Sequence, residues 1–203
     1  MSDRSRARGI LVGAVVFVML GTGVAQAGAP TDQLRAYVDR VIKTLDTPGL
    51  RGEGKTKERR AAVRNIAGEI FDVPETAKRA LGPHWQARTP AEREEFVKLF
   101  ADLLETGYIS KIDRYEGEKI SYVGESMDGD QATVRTKIAT RQGSEVPVDY
   151  RMHQRDGRWL VYDVVIEGVS LVANYRTQFN KIIQSSSYQE LVQKLKARSL
   201  STS

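Results

Sequence analysis

Val146-Pro147-Val148-Asp149-Tyr150-Arg151-Met152-His153 leads through Asp156-Gly157 into Arg158-Trp159-Leu160-Val161-Tyr162-Asp163-Val164-Val165-Ile166. The first run alternates. Val146, Val148, Tyr150 and Met152 fall on one face, and Asp149, Arg151 and His153 fall on the other. Successive strand side chains point to opposite faces, so this pattern predicts an antiparallel strand with one covered and one wet face. Asp-Gly between two such runs is a hairpin signal, because a tight hairpin turn needs positive φ at its centre. Upstream, the same period of two flanks Asp128-Gly129. Strands are expected over 118–127, 131–142, 145–155 and 158–166.

On both sides of this meander the period becomes that of a helix. Leu34, Val38, Val41, Ile42 and Leu45 predict a helix over 31–47, which Pro48-Gly49 stops. Residues 56–71 resume through Val63, Ile66, Ile70 and Phe71. Pro74 begins a short helical piece that ends at Leu81-Gly82-Pro83. Thr89-Pro90-Ala91-Glu92 is a capping box with proline at the first helical position. It opens a helix expected to run to about Asp113, with Gly107 as a bend. Gly168 ends the last strand, and residues 169–184 and 187–198 are expected as closing helices. Helices, then a meander of about four strands, then helices define one α+β domain.

The first 27 residues read as an export leader and stay outside the fold. Arg4, Arg6 and Arg8 form a positive start, Ile10 to Leu20 is an apolar run too short to span a bilayer, and Ala25-Gln26-Ala27 is a small-x-small cleavage pattern. The domain is therefore expected over 28–203. Removing a leader with three arginines and one aspartate takes the formal net charge from +5 to +3. The chain contains no cysteine, so its core must suffice without disulfides. Export without disulfides favours a bacterial periplasm.

Several constellations look like catalytic or binding signatures and fail on context. Gly49-Leu50-Arg51-Gly52-Glu53-Gly54-Lys55-Thr56 matches the phosphate-loop pattern, but that mechanism needs a preceding strand, and the preceding periodicity is helical. His84 and His153 have no Cys, His or carboxylate at ligand spacing, which argues against a metal site. Gly168-Val169-Ser170 is half a nucleophile elbow whose second glycine is missing. Asp163 lies between apolar neighbours, so it must be paired or hold its proton. A structural pair with Arg176 is expected. A general base facing a cavity is the rival. Tyr108, Tyr122, Tyr150, Tyr162 and Tyr175 fall at inner or rim positions, where an apolar ring can carry a polar tip.

A family likeness runs through the same residues: Phe71-Asp72, Leu81-Gly82 with Trp85, Thr89-Pro90, Glu95-Phe96 with Phe100, Leu103-Leu104 and Tyr108. It continues through Pro147-Val148 with Tyr150, Gly157-x-Trp159, Tyr162-Asp163-Val164 through Leu171, and Tyr175-Arg176-x-Gln178-Phe179. The chain resembles the MlaC, or toluene-tolerance, family of periplasmic phospholipid-binding proteins that serve an ABC lipid transporter. The resemblance implies a curved antiparallel sheet wrapped by helices, in the manner of nuclear-transport-factor-like folds, with an apolar pocket between the two layers. Both lipid tails would enter, and the headgroup would stay outside. It implies docking to an inner-membrane ABC complex with an MCE subunit and to an outer-membrane lipoprotein complex. No cofactor and no nucleic acid are implied. Related members serve hopanoid-linked operons, so sterol-like cargo stays open, as does an enzyme using Asp163 on a small hydrophobic substrate.

The expected lining comprises Leu104, Tyr108 and Ile112 from the long helix. The strands contribute Tyr122, Val134, Ile138, Val148, Tyr150, Val164 and Ile166. The hinge and closing helix add Val169, Leu171, Tyr175 and Phe179. Lys111, Asn174 and Arg176 are the expected rim contacts for a phosphate.

Overall fold

The computed structural model describes residues 29–50, 52–109, 115, 117–141 and 143–200. The expected leader, together with Lys111 and Ile112, lies outside the described residues. The sheet consists of β1 (Lys119–Asp128), β2 (Gln131–Ala139), β3 (Glu145–Arg155), β4 (Arg158–Ile166) and β5 (Val169–Ser170). The strands lie in sequence order, and every neighbouring pair is antiparallel. The α-helices are α1 (Ala29–Asp46), α2 (Thr56–Ile70), α3 (Val73–Leu81), α4 (Pro90–Leu104), α5 (Leu171–Ser185) and α6 (Tyr188–Leu200).

The four expected strands stand, with β2 ending three residues early, and a fifth is added. Glu167 and Gly168 adopt φ of 50° and 81°, and this two-residue turn folds Val169-Ser170 back against Val165-Ile166. Residues 169–170 are therefore strand, not the first turn of a helix. Ser170 then caps α5, its hydroxyl accepting the Ala173 N–H at 3.0 Å. At the predicted capping box, the Thr89 hydroxyl accepts the Glu92 N–H at 3.2 Å, and the Glu92 carboxylate accepts the Thr89 N–H at 2.8 Å. The helix it opens does not run on unbroken. It leaves α geometry at Leu104 and continues as a π turn over Glu105–Ile109 that contains Gly107.

Two apolar clusters hold the molecule together. One is all helical: Phe96, Phe100, Leu103, Phe179, Leu191 and Leu195 are buried between α3, α4, α5 and α6. Phe96 meets Phe179 edge to face at 5.6 Å, and Phe100 meets Tyr175 likewise at 5.2 Å. The other joins α1 and α2 to one face of the sheet. Leu34 and Ile70 pack with Ala132, Val134, Met152, Trp159 and Val161.

The free edge of β4 is covered along its length. The Gln33 side-chain amide donates to the Trp159 carbonyl at 2.6 Å and accepts the Trp159 N–H at 3.1 Å, standing in for a neighbouring strand. Two residues on, Phe71 forms a parallel bridge with Val161, and the Asp72 N–H donates to the Val161 carbonyl at 2.9 Å. β5 covers the end. Such an edge has no ladder left to offer another chain.

Asp72 fixes α3 to this edge. Its buried carboxylate accepts the Glu75 N–H at 3.0 Å, and it is held at 3.1 Å by both Arg155 and His153 of β3. His153, expected on the wet face beside Arg151, is on that face but half-buried, edge-on to Tyr162. Burial alone would push the Asp72 carboxyl up. The Glu75 N–H, Arg155 and His153 outweigh it and hold the carboxyl below the ordinary aspartate range. A depressed carboxyl stabilises the fold above its unfolded value of about 3.9, and that contribution disappears as pH falls below it. Asp72→Asn is expected to cost about 1–3 kcal/mol at pH 5 in urea unfolding. The gap to the parent protein should shrink by pH 2.5, and a gap that stays constant contradicts this role.

Candidate functional site

Cross-strand register assembles the inner face of the sheet in rows. Met127, Ala132, Met152 and Val161 form one, and Glu125, Val134, Tyr150 and Val164 the next. Tyr122, Thr136, Val148, Ile166 and Val169 form the third, and Ile120, Ile138 and Val146 the fourth. The polar members of the middle rows are tied down. Thr136 donates to the Val148 carbonyl at 2.7 Å, and Glu125 accepts from the Thr31 N–H and hydroxyl at 2.9 and 2.6 Å. What the middle rows present is therefore aliphatic and aromatic surface.

Cover over this face is uneven. Leu34, Tyr37 and Val38 of α1 pack on the cluster that contains Ala132, Val134, Met152 and Val161. Toward the far end Ile120, Ile138, Val146 and Ile166 are only half-buried, and Val169 is 58% exposed. Val169 was expected to line an enclosed interior; on β5 it stands at the surface instead.

The thirteen expected lining residues among the described residues divide between the sheet and the helices. Tyr122, Val134, Ile138, Val148, Tyr150, Val164 and Ile166 share the sheet's inner face. Phe179 is inside the helical cluster, with Leu104 and Tyr175 packed against it. Tyr108, in the π turn, shares a hydrogen bond with Tyr175. Leu171 is half-buried at the start of α5. Burial pushes the hydroxyls of Tyr122, Tyr150 and Tyr175 up to about 12, so all three stay neutral donors. Of the expected rim cations, Arg176 lays its stem over Gly82, where an added Cβ would meet its Cδ at 3.0 Å. Asn174 is exposed and accepts from Gln178 at 3.2 Å.

Residues the sequence reading missed lie on the same face. Trp159 and Val161 point inward with Val164 and Ile166 because a bulge opposite Arg151 and Met152 shifts the register of β4. Strict alternation from Val164 would have put Tyr162 and Leu160 there. Ile120 and Val146 carried the right parity and were recoverable from it.

Asp163 is spoken for. It accepts from the Ser170 hydroxyl at 2.6 Å, the Val172 N–H at 3.0 Å and Arg151 at 3.1 Å. Its cationic partner is the cross-strand Arg151, not Arg176. Both oxygens hold the start of α5 against β4, which leaves neither one free to act as a base. The segment 49–56 that matches a phosphate loop follows α1 and overlaps two 3₁₀ turns, Pro48–Leu50 and Glu53–Lys55, without the strand that loop requires. No group of three or more potential metal ligands occurs among the described residues.

Under α1 the side chains of the inner face pack on Leu34, Tyr37 and Val38, while the fourth row is left half-bare. A cleft of about 260 Å³ opens elsewhere, at Glu69, Asp72, Arg155, Asp156 and Arg158, and its walls are charged.

Replacing Asp163 by Ala strands the buried Val172 N–H and unties the Ser170 hydroxyl, while Arg151, half exposed, turns to solvent. The expected cost is about 1–3 kcal/mol in chemical denaturation. A change below about 0.5 kcal/mol, the scale of a neutral surface substitution, would contradict its anchoring role.

The comparisons with known proteins agree with one another. The family model described as MlaC protein matches residues 35–197. The intermembrane phospholipid transport system binding protein MlaC of Haemophilus influenzae is 22% identical over 184 residues, covering 88% of this chain and 86% of that protein. The toluene tolerance protein ttg2D of Pseudomonas putida is 23% identical over 179 residues, covering 87% and 82%. Among solved structures, the phospholipid-binding protein from Ralstonia solanacearum, in complex with a phospholipid, aligns with a TM-score of 0.77 at 26% identity. The alignment covers 86% of this chain and 99% of that one.

Proposed function

The chain belongs to the MlaC family, and on that premise we propose that it carries phospholipid across the periplasm, sheltering the acyl chains on the inner face of its sheet. The observation behind this reading is the apolar face itself. Four cross-strand rows run continuously, covered by α1 at one end and half-bare at the other. The relatives named for intermembrane phospholipid transport and for a bound phospholipid support the choice of cargo.

Two acyl chains hold about 30 methylenes, each worth about 0.8 kcal/mol when removed from water. Free lipid therefore cannot cross an aqueous gap unaided at a useful rate. A carrier needs only to match the bilayer, and a partner that competes for the chains suffices for release. Its route runs between an inner-membrane ABC complex and an outer-membrane lipoprotein complex, after export through the leader at residues 1–27. Ligand pockets of this class need several hundred Å³. Loading therefore moves helices away from the sheet, and the half-buried fourth row is where the chains begin to insert.

Extraction of whatever copurifies with the mature protein, followed by mass spectrometry, is expected to return phospholipid. Protein that arrives empty and takes up no lipid from liposomes overturns the reading. Ile166→Glu puts a carboxylate on the third row, where chains would bury it. Because Ile166 is only half-buried, the fold should persist while lipid uptake falls at least about tenfold. Normal uptake by this variant contradicts the location of the site.

A further inference from the structure

The Tyr122 hydroxyl is buried and has no hydrogen-bond partner among the described residues. The ring itself is well held. It packs on the cluster beneath α1, and the Arg35 guanidinium lies 4.5 Å from its centroid on the other side. A desolvated donor without an acceptor is destabilising, so a hydroxyl in this position is expected to have a function that needs it. Tyr150, Asp39 and Arg35 act on it electrostatically, yet none of them is hydrogen-bonded to it, and Arg35 has only donors to give. Burial raises the phenol to about 12, which keeps the proton on the oxygen at any physiological pH.

Its place in the sheet is informative. Tyr122 opens the third row, between the two rows covered by α1 and the half-bare row of Ile120, Ile138 and Val146. Acyl chains lying under α1 carry no acceptor, and a phosphate at this depth would bury charge without a buried cation to meet it. The neutral acceptors of a diacyl lipid are its glycerol ester carbonyls. They lie between tail and phosphate, which is the boundary Tyr122 occupies.

We propose that the Tyr122 hydroxyl donates a hydrogen bond to an ester carbonyl of the bound lipid and so makes the protein prefer ester-linked over ether-linked chains. This rests on the carrier reading above and adds a polar determinant to an otherwise apolar site. Arg35 and the sheet position the phenol, and the hydroxyl reads the linkage.

The test compares two probes: a diacyl phosphatidylglycerol, and the dialkyl-ether phosphatidylglycerol of the same chain lengths. Uptake from vesicles is measured for the mature parent protein and for Tyr122→Phe. The parent is expected to favour the ester lipid by about three- to tenfold, the range a single neutral hydrogen bond supplies. Tyr122→Phe should lose that preference by binding the ester lipid more weakly while binding the ether lipid unchanged. Its lipid-free melting temperature should be equal or higher, because the removed hydroxyl had no partner to lose. Equal affinity of the parent for both lipids, an unchanged preference in Tyr122→Phe, or an equal loss for both lipids overturns the assignment. Failure of both proteins to take up either lipid overturns it together with the carrier reading, a pattern distinct from the other three.

Discussion

Carboxylates at helix N-termini fasten this molecule to its sheet. Glu125 of β1 accepts from the first turn of α1, Asp163 of β4 accepts the Val172 N–H in the first turn of α5, and Asp72, gripped by β3, caps α3. The first N–H groups of a helix lack intrahelical partners and carry the positive end of its dipole, so an acid there satisfies a donor and a charge at once. Two of these acids are almost fully buried, and each is met by three donors. The polar connections between helices and sheet are thus concentrated at helix starts and sheet margins.

That distribution leaves the ground between the margins apolar. Past Thr31 and Gln33, whose hydrogen bonds tie its start to Glu125 and Trp159, α1 meets the sheet through the apolar side chains of Leu34, Tyr37 and Val38 and through Arg35 over the Tyr122 ring. Burying apolar area is favourable but not orientation-specific, at about 25 cal/mol per Å², so acyl chains can replace side-chain contacts with nearly equivalent ones. Exchanging one set of apolar contacts for another then changes the free energy little, which suits the carrier role proposed above. The helical cluster of Phe96, Phe100 and Phe179 behaves otherwise. Its interlocked rings form a rigid block, and α5 connects that block to β4 through Asp163.

Much of this was legible in the sequence. Alternation in 145–155 fixed the face of β3 correctly, Asp156-Gly157 marked its hairpin, and the Thr89 capping box began its helix at the expected residue. What escaped depended on contacts distant in the chain. The bulge in β4 reverses inner and outer parity between Val161 and Val164, and it is a matter of pairing with Arg151, which alternation within one strand cannot reveal. Gln33 reads as an ordinary surface helix residue until Trp159 is beside it. Arg151 was assigned to solvent, and Asp163 to Arg176, because cross-strand register had not yet put the first pair together. The aromatic motif Tyr175-x-x-x-Phe179 looked like cavity lining and serves mainly as helix packing.

The most direct measurement of the central claim is a crystal structure of the mature protein loaded with a phospholipid brominated along its acyl chains. Anomalous scattering then locates the chains without reference to the surrounding density. The account predicts bromine peaks between α1 and the sheet, in contact with Val148, Val164 and Ile166, with Glu125, Asp72 and Asp163 still holding their helix starts. Bromine confined to the outer surface, with none between α1 and the sheet, would contradict it.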